Sequence, residues 1–229
     1  MNKLSVSMTQ KEACLGWVYL GVFMFVLPNV LTCCNMLLPT PLPESRLNFL
    51  YFYINLISVV FIAHRFLWNS LLTGLKNPFR FLRTSLIGFG IYYCLTFLLS
   101  LLTALLRPDF VNLNDSSILA MSGEDFMLMS IGTVLLVPPV EEFLYRGIVF
   151  GRLYPKSKLA AYGVSTALFS AIHVMGYLGS YDAGLVALAF VQYVPAGILL
   201  AWAYVKADTI WAPVLIHITI NQIGMQSLR

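Results

Sequence analysis

Apolar residues run through this chain in long, nearly uninterrupted stretches, and polar residues collect mainly between them. That pattern predicts membrane-spanning helices rather than the half-apolar stripe of a soluble helix. The stretches cover residues 13–34, 47–68, 85–106, 126–152, 159–177, 184–205 and 210–225. Most of them reach the roughly 20 residues that a helix needs to cross about 30 Å of hydrocarbon. The expectation is an all-α, polytopic transmembrane helix bundle of about seven spans. The second stretch is interrupted near its end by His64 and Arg65, and the seventh is short. No repeat, low-complexity tract or linker divides the chain, so residues 1–229 read as a single integral membrane domain.

Composition agrees and narrows the choice. Of the 229 residues, 59% are hydrophobic and 10% charged, with a mean hydropathy of +0.80, whereas soluble domains carry about a quarter charged residues. No sizeable soluble domain fits between the spans, and no nucleic-acid partner is expected; the lipid bilayer is the expected surrounding. The first stretch is uncharged and lacks a small-residue cleavage pattern after it, which predicts a retained span rather than a removed signal peptide. Cys14, Cys33, Cys34 and Cys94 lie in or at the ends of predicted spans without a CxxC spacing, and are expected to be buried, inert thiols.

Charge sets the expected orientation, because Lys and Arg near span ends stay cytoplasmic. Arg65, Lys76, Arg80 and Arg83 follow the second span, and Arg146, Arg152, Lys156 and Lys158 follow or close the fourth. The connection between the third and fourth spans holds Arg107 against Asp109, Asp115, Glu124 and Asp125. The first two groups are expected inside and the third outside. This places the N-terminus in the cytoplasm and, for seven spans, the C-terminus outside, in a protein of the cell membrane.

Against this background Glu141, Glu142, Arg146, His173 and His217 stand out, since each ionisable residue costs roughly 2.5–3.5 kcal/mol near the bilayer centre and usually marks function. Glu142 and Arg146 are four residues apart on one helix face, where they can pair. Glu141 points about 100° away from Glu142 and has only Tyr145 as a polar neighbour one turn on. A buried carboxylate without a charge partner is the condition of a general base. Measured along each span, Glu141, His173 and His217 fall at roughly 16, 21 and 12 Å from the cytoplasmic end, which is one layer near the membrane middle. His217 and Asn221 are one turn apart, so an imidazole N–H and a carboxamide can aim at one point, as an oxyanion site requires. Asn221 could equally cap its helix or bond a neighbour. Pro138 and Pro139, just ahead of Glu141, break the helical ladder and free backbone carbonyls, which suits either a wet cavity or a packing kink.

Three motifs in order, on separate spans, resemble one known family. They are EEFLYR from Glu141 to Arg146 followed by Gly147, FSAIH from Phe169 to His173, and HITIN from His217 to Asn221. The family's patterns are EExxxR, FxxxH and HxxxN/D, and the chain is thereby similar to the CPBP intramembrane proteases. That group, also called CAAX prenyl proteases or Abi, includes the type II CAAX endopeptidases. The resemblance covers residues 134–224, the expected protease core. It implies a helical bundle with a conical, membrane-embedded active-site cavity in which a peptide bond is hydrolysed. By the same resemblance Glu141 and His173 would activate water, His217 and Asn221 would stabilise the oxyanion, and Glu142 and Arg146 would brace the site. The substrate expected is a membrane-anchored or hydrophobic peptide near the cytoplasmic face, prenylated in the CAAX case. The group has also been described as metalloproteases, in which case zinc would be held by Glu141, His173 and His217. No HExxH is present, and the glutamate-base mechanism needs no cofactor. A non-catalytic relative, such as a bacteriocin-immunity or scaffold protein, is the competing expectation. A proton-coupled transporter would explain the acids but not the His217/Asn221 pair.

Overall fold

The computed structural model describes residues 4–227. Eight helices follow one another: α1 (Gln10–Met36), α2 (Glu44–Lys76), α3 (Pro78–Leu106), α4 (Leu113–Glu124), α5 (Phe126–Leu153), α6 (Lys158–Ile172), α7 (Ala183–Ala207) and α8 (Trp211–Ser227). Among the described residues there is no β-strand. Five helices, α1, α2, α3, α5 and α7, are long and apolar enough to cross a membrane. Helices α6 and α8, with 15 and 17 residues, occupy the two remaining apolar stretches and are shorter.

Hydrogen bonds between connections define two ends of the bundle. At one end the Ser5 N–H donates to Asp208, Arg80 donates to the Lys206 carbonyl, and Ser70 and Thr209 exchange bonds. This basic end gathers the close of α2, the start of α3, the close of α7 and the start of α8. At the other end the Ser45 N–H donates to Glu124 at 2.9 Å, which holds the Glu124 carboxyl below its usual range. Ser117 bonds the Tyr177 hydroxyl there, and Asn112 that of Tyr193. The start of α2, all of α4 and the connection into α7 make up this acid-bearing end.

Helix α4 lies where the sequence suggested only a connecting loop. Asn112 caps it by accepting from the N–H groups of Asn114 and Asp115, while Leu113, Ile118 and Met121 turn toward the bundle. The fifth apolar stretch also stops early. Helix α6 ends at Ile172, and Val174 (φ −127°) and Gly179 (φ +83°) carry the chain through turns to α7. His173 therefore sits at the end of its helix rather than within it.

Helix α2 bends at Ala63, whose φ of −121° and ψ of 17° leave the helical region. Glu12 of α1 meets the bend: it is 5% exposed, and its Oε1 accepts from the Phe66 N–H at 2.9 Å. Its Oε2 accepts from the Thr9 N–H and hydroxyl, closing a capping box at the start of α1. The carboxylate thus joins two helix beginnings. Between α6 and α7 the close approach depends on Gly197, where an added Cβ would stand 3.0 Å from the Thr166 Cα.

The core is centred on α5, whose residues Phe143, Leu144, Tyr145, Ile148, Val149 and Phe150 are wholly buried. The periphery is apolar and outward-facing, as with Phe61, Leu86 and Leu105, which is the surface that hydrocarbon solvates. The protein is an integral membrane protein. The cysteines correct the expectation of burial: all four are free and exposed. On a lipid-facing helix a small apolar thiol needs no protein around it.

Candidate active site

The site is built where α5 departs from regular α-helix. Residues Gly132–Leu136 form a π-turn, in which the Val137 N–H bonds the Gly132 carbonyl, five residues back. In that register the next donor should serve Thr133, but the next residue is Pro138, which has no N–H. The Thr133 carbonyl is left over, and the Asn221 side chain of α8 donates to it at 2.8 Å. The proline thus creates an acceptor that locks α8 onto α5. One carboxamide N–H of Asn221 is spent on this bond, and the second remains for the cavity that Asn221 lines.

A second π-segment, Glu142–Phe150, carries Glu142 and Arg146. Both are 0% exposed. Arg146 donates to Glu142 Oε1 at 3.1 Å, contacts the Ala196 and Gly197 carbonyls of α7 at 3.4 and 3.3 Å, and lies 4.3 Å above the Phe169 ring of α6. The same Glu142 oxygen meets His217 Nδ1 at 2.9 Å. Glu142 is therefore shared between the expected arginine and a histidine of another helix.

Glu141 faces a different way. It is 7% exposed, and its Oε2 has no hydrogen-bond partner among the described residues. His217 Nε2 stands 3.9 Å from it, too far for a direct hydrogen bond. Tyr145 does not serve it either: the ring packs edge-on against Phe169, and its hydroxyl is unpartnered among the described residues. His173 Nδ1 lies 2.8 Å from the Phe169 carbonyl, and its ring stacks on Tyr193 with centroids 4.1 Å apart.

Glu141, His173, His217 and Asn221 all line one cavity of about 950 Å³. The cavity brings together Glu141, His173 and His217, the three expected in one layer, and adds Asn221. Glu142 and Arg146 lie behind the wall and do not line it. Tyr193 is the wall residue that sequence reasoning passed over; a tyrosine two residues before Pro195 inside an apolar span was the available signal.

The bonds fix what each ring can offer. A carbonyl only accepts, so His173 Nδ1 carries a proton, and in a neutral ring Nε2 is then the free base. An ionised Glu142 also only accepts, so His217 Nδ1 is protonated as well. For His217 Nε2 to donate toward the cavity, the ring must then be imidazolium, with Glu142 balancing its charge. Among the described residues no three His, Cys, Asp or Glu side chains gather as metal ligands, while the Nδ1 bonds of His173 and His217 to a carbonyl and a carboxylate leave each Nε2 free.

Comparison with known proteins places this region. The family described as type II CAAX prenyl endopeptidase, Rce1-like, matches residues 123–223. A Bacillus subtilis (strain 168) protein named "Putative membrane peptidase YdiL" is 30% identical over 96 residues, which are 41% of this chain and 34% of that protein. The match thus spans about a third of the relative's length. No solved structure matches the chain.

Proposed function

From the similarity of residues 123–223 to the type II CAAX prenyl endopeptidase, Rce1-like family, we propose that this chain is an intramembrane endopeptidase acting on a membrane-anchored or hydrophobic peptide. The observation that carries the reading is Glu141, a buried carboxylate without a hydrogen-bond partner among the described residues, in the wall of a cavity shared with His173, His217 and Asn221. A carboxylate left this way in a membrane protein is costly and has a function by default.

In the proposed reaction Glu141, assisted by His173 Nε2, takes a proton from water as the oxygen attacks the substrate carbonyl. The tetrahedral oxyanion is received by the free Asn221 N–H and by His217 Nε2–H, whose positive charge Glu142 balances. Protonated Glu141 then gives its proton to the leaving amine as the C–N bond breaks. Arg146, itself held by the Ala196 and Gly197 carbonyls and the Phe169 ring, fixes Glu142 through one bond. Two donors preset toward the developing charge supply the largest expected contribution, a single such donor being worth about 10²- to 10³-fold in rate. No step requires a metal.

The test is a comparison of membrane peptides in cells expressing the wild-type chain or Glu141→Gln. The proposal expects a defined set of intact peptides to accumulate with the variant and their fragments to disappear. Identical peptide sets would instead favour a non-catalytic, immunity- or scaffold-type role.

A further inference from the structure

The cavity has a floor and one open direction. Glu141 is the last residue of α5 to line it, and His217 is the first of α8. From there its wall climbs along Leu47 and Asn48 of α2, Asp115 and Met121 of α4, and Ser227 of α8, all parts of the acid-bearing end. Toward the basic end the bundle is filled. Phe143 and Phe150 are wholly buried, Leu4, Val6 and Met8 pack onto the same core, and Ser70 and Thr209 bond the helix ends together.

Charge tells the two ends apart. Lys76, Arg80, Arg83, Arg152, Lys156, Lys158 and Lys206 belong to the filled end. Glu44, Asp109, Asp115, Glu124, Asp125 and Asp182, with only Arg46 and Arg107 for balance among the described residues, belong to the open one. By the preference of Lys and Arg for the cytoplasm, the open end faces away from it, opposite to the cytoplasmic access expected from the sequence. Within the cavity the only lining carboxylates are Glu141 and Asp115, and no Lys or Arg lines it among the described residues. A substrate cut close to its C-terminus would bring a free carboxylate into this space, where the one cation of the proposed mechanism, His217, is already balanced by Glu142. A neutral or basic flank is favoured there.

We propose that the substrate is a hydrophobic peptide segment that reaches Glu141 from the extracytoplasmic side and lays a neutral or basic flank, rather than a free C-terminal carboxylate, past Asp115. The identity of the occupant rests on the peptidase reading; the route rests on the cavity's shape and charge.

The experiment uses the full chain with Cys14, Cys33, Cys34 and Cys94 changed to serine, and single Asn114→Cys, Ser227→Cys or Ser157→Cys substitutions. A membrane-impermeant maleimide is applied to intact cells and to inverted vesicles. Asn114→Cys and Ser227→Cys should label in intact cells, and Ser157→Cys, at the start of α6, only in inverted vesicles. The opposite pattern overturns the route. Two Leu/Ala-rich probe peptides, one ending in lysine amide and one in aspartate with a free carboxylate, are then tested for protection of Asn114→Cys in detergent. The amide should protect at about tenfold lower concentration, the scale of one charge–charge interaction at partly screened distance. Equal protection, stronger protection by the acid, or none by either overturns the substrate class. Because labelling needs no turnover, a chain that labels as expected yet never cleaves counts against the peptidase reading alone.

Discussion

Replacing Glu142 by glutamine tests the buried network and separates its two duties. The carboxylate holds Arg146 at 3.1 Å and His217 at 2.9 Å through one oxygen. Glutamine keeps an acceptor oxygen but removes the charge that balances Arg146, which is 0% exposed. Breaking a buried pair by removing one partner costs about 3–5 kcal/mol. Arg146 retains the Ala196 and Gly197 carbonyls and the Phe169 ring, but the carbonyl contacts are long, at 3.4 and 3.3 Å. We therefore expect the lower end, about 3 kcal/mol, which for a chain of this size is a melting-temperature drop of roughly 6–12 °C. In the proposed mechanism hydrolysis should fall further than the folded fraction, because the charge that balances the His217 donor is gone. The double variant Glu142→Gln with Arg146→Met leaves no stranded charge and should recover most of the stability but not the activity. Thermal unfolding in detergent and turnover per folded molecule are the two readouts. A Glu142→Gln protein that melts like wild type would refute the brace, and a double variant with recovered turnover would refute the His217 assignment.

Further expectations concern single contacts. Glu12→Ala removes the acceptor of the Phe66 N–H at the bend of α2, and the stranded buried donor should cost about 1–3 kcal/mol in thermal unfolding, with Glu12→Gln much milder. Asn221→Ala removes both a cavity donor and the bond to the Thr133 carbonyl; turnover should drop about 10²- to 10³-fold. The accompanying stability loss should be only about 1 kcal/mol by unfolding. The purified protein should carry no stoichiometric metal by elemental analysis and keep its activity after strong chelation. Loss on chelation with recovery on adding zinc would recast His173 and His217 as ligands.

Much of this was legible because hydrocarbon makes polarity conspicuous. A glutamate or histidine in an apolar stretch is visible at once, and helical spacing alone pairs Glu142 with Arg146. Spacing sees only one helix, however. It assigned Glu142 wholly to Arg146, and the bond to His217, 75 residues away, emerges only when α5 and α8 pack. The same blindness hid Tyr193 behind His173 and Glu12 beneath the bend of α2. The prolines announced freed carbonyls, but which one, Thr133, depends on the π-register that no propensity encodes. Helix α4 was passed over because it is short and only mildly apolar. The cysteines misled because burial in protein and burial in lipid look identical in sequence.

The central claim is that Glu141 is the base. Glu141→Gln preserves shape and removes only the proton acceptor of a side chain that makes no hydrogen bond through Oε2 among the described residues, so folding has little to lose. The deciding measurement is single-turnover cleavage by the purified variant, on a synthetic peptide carrying the cut site mapped in cells, alongside its melting temperature. We predict an unchanged melting temperature and a rate about 10²- to 10⁴-fold below wild type. A well-folded Glu141→Gln protein that cleaves at near the wild-type rate would contradict the account.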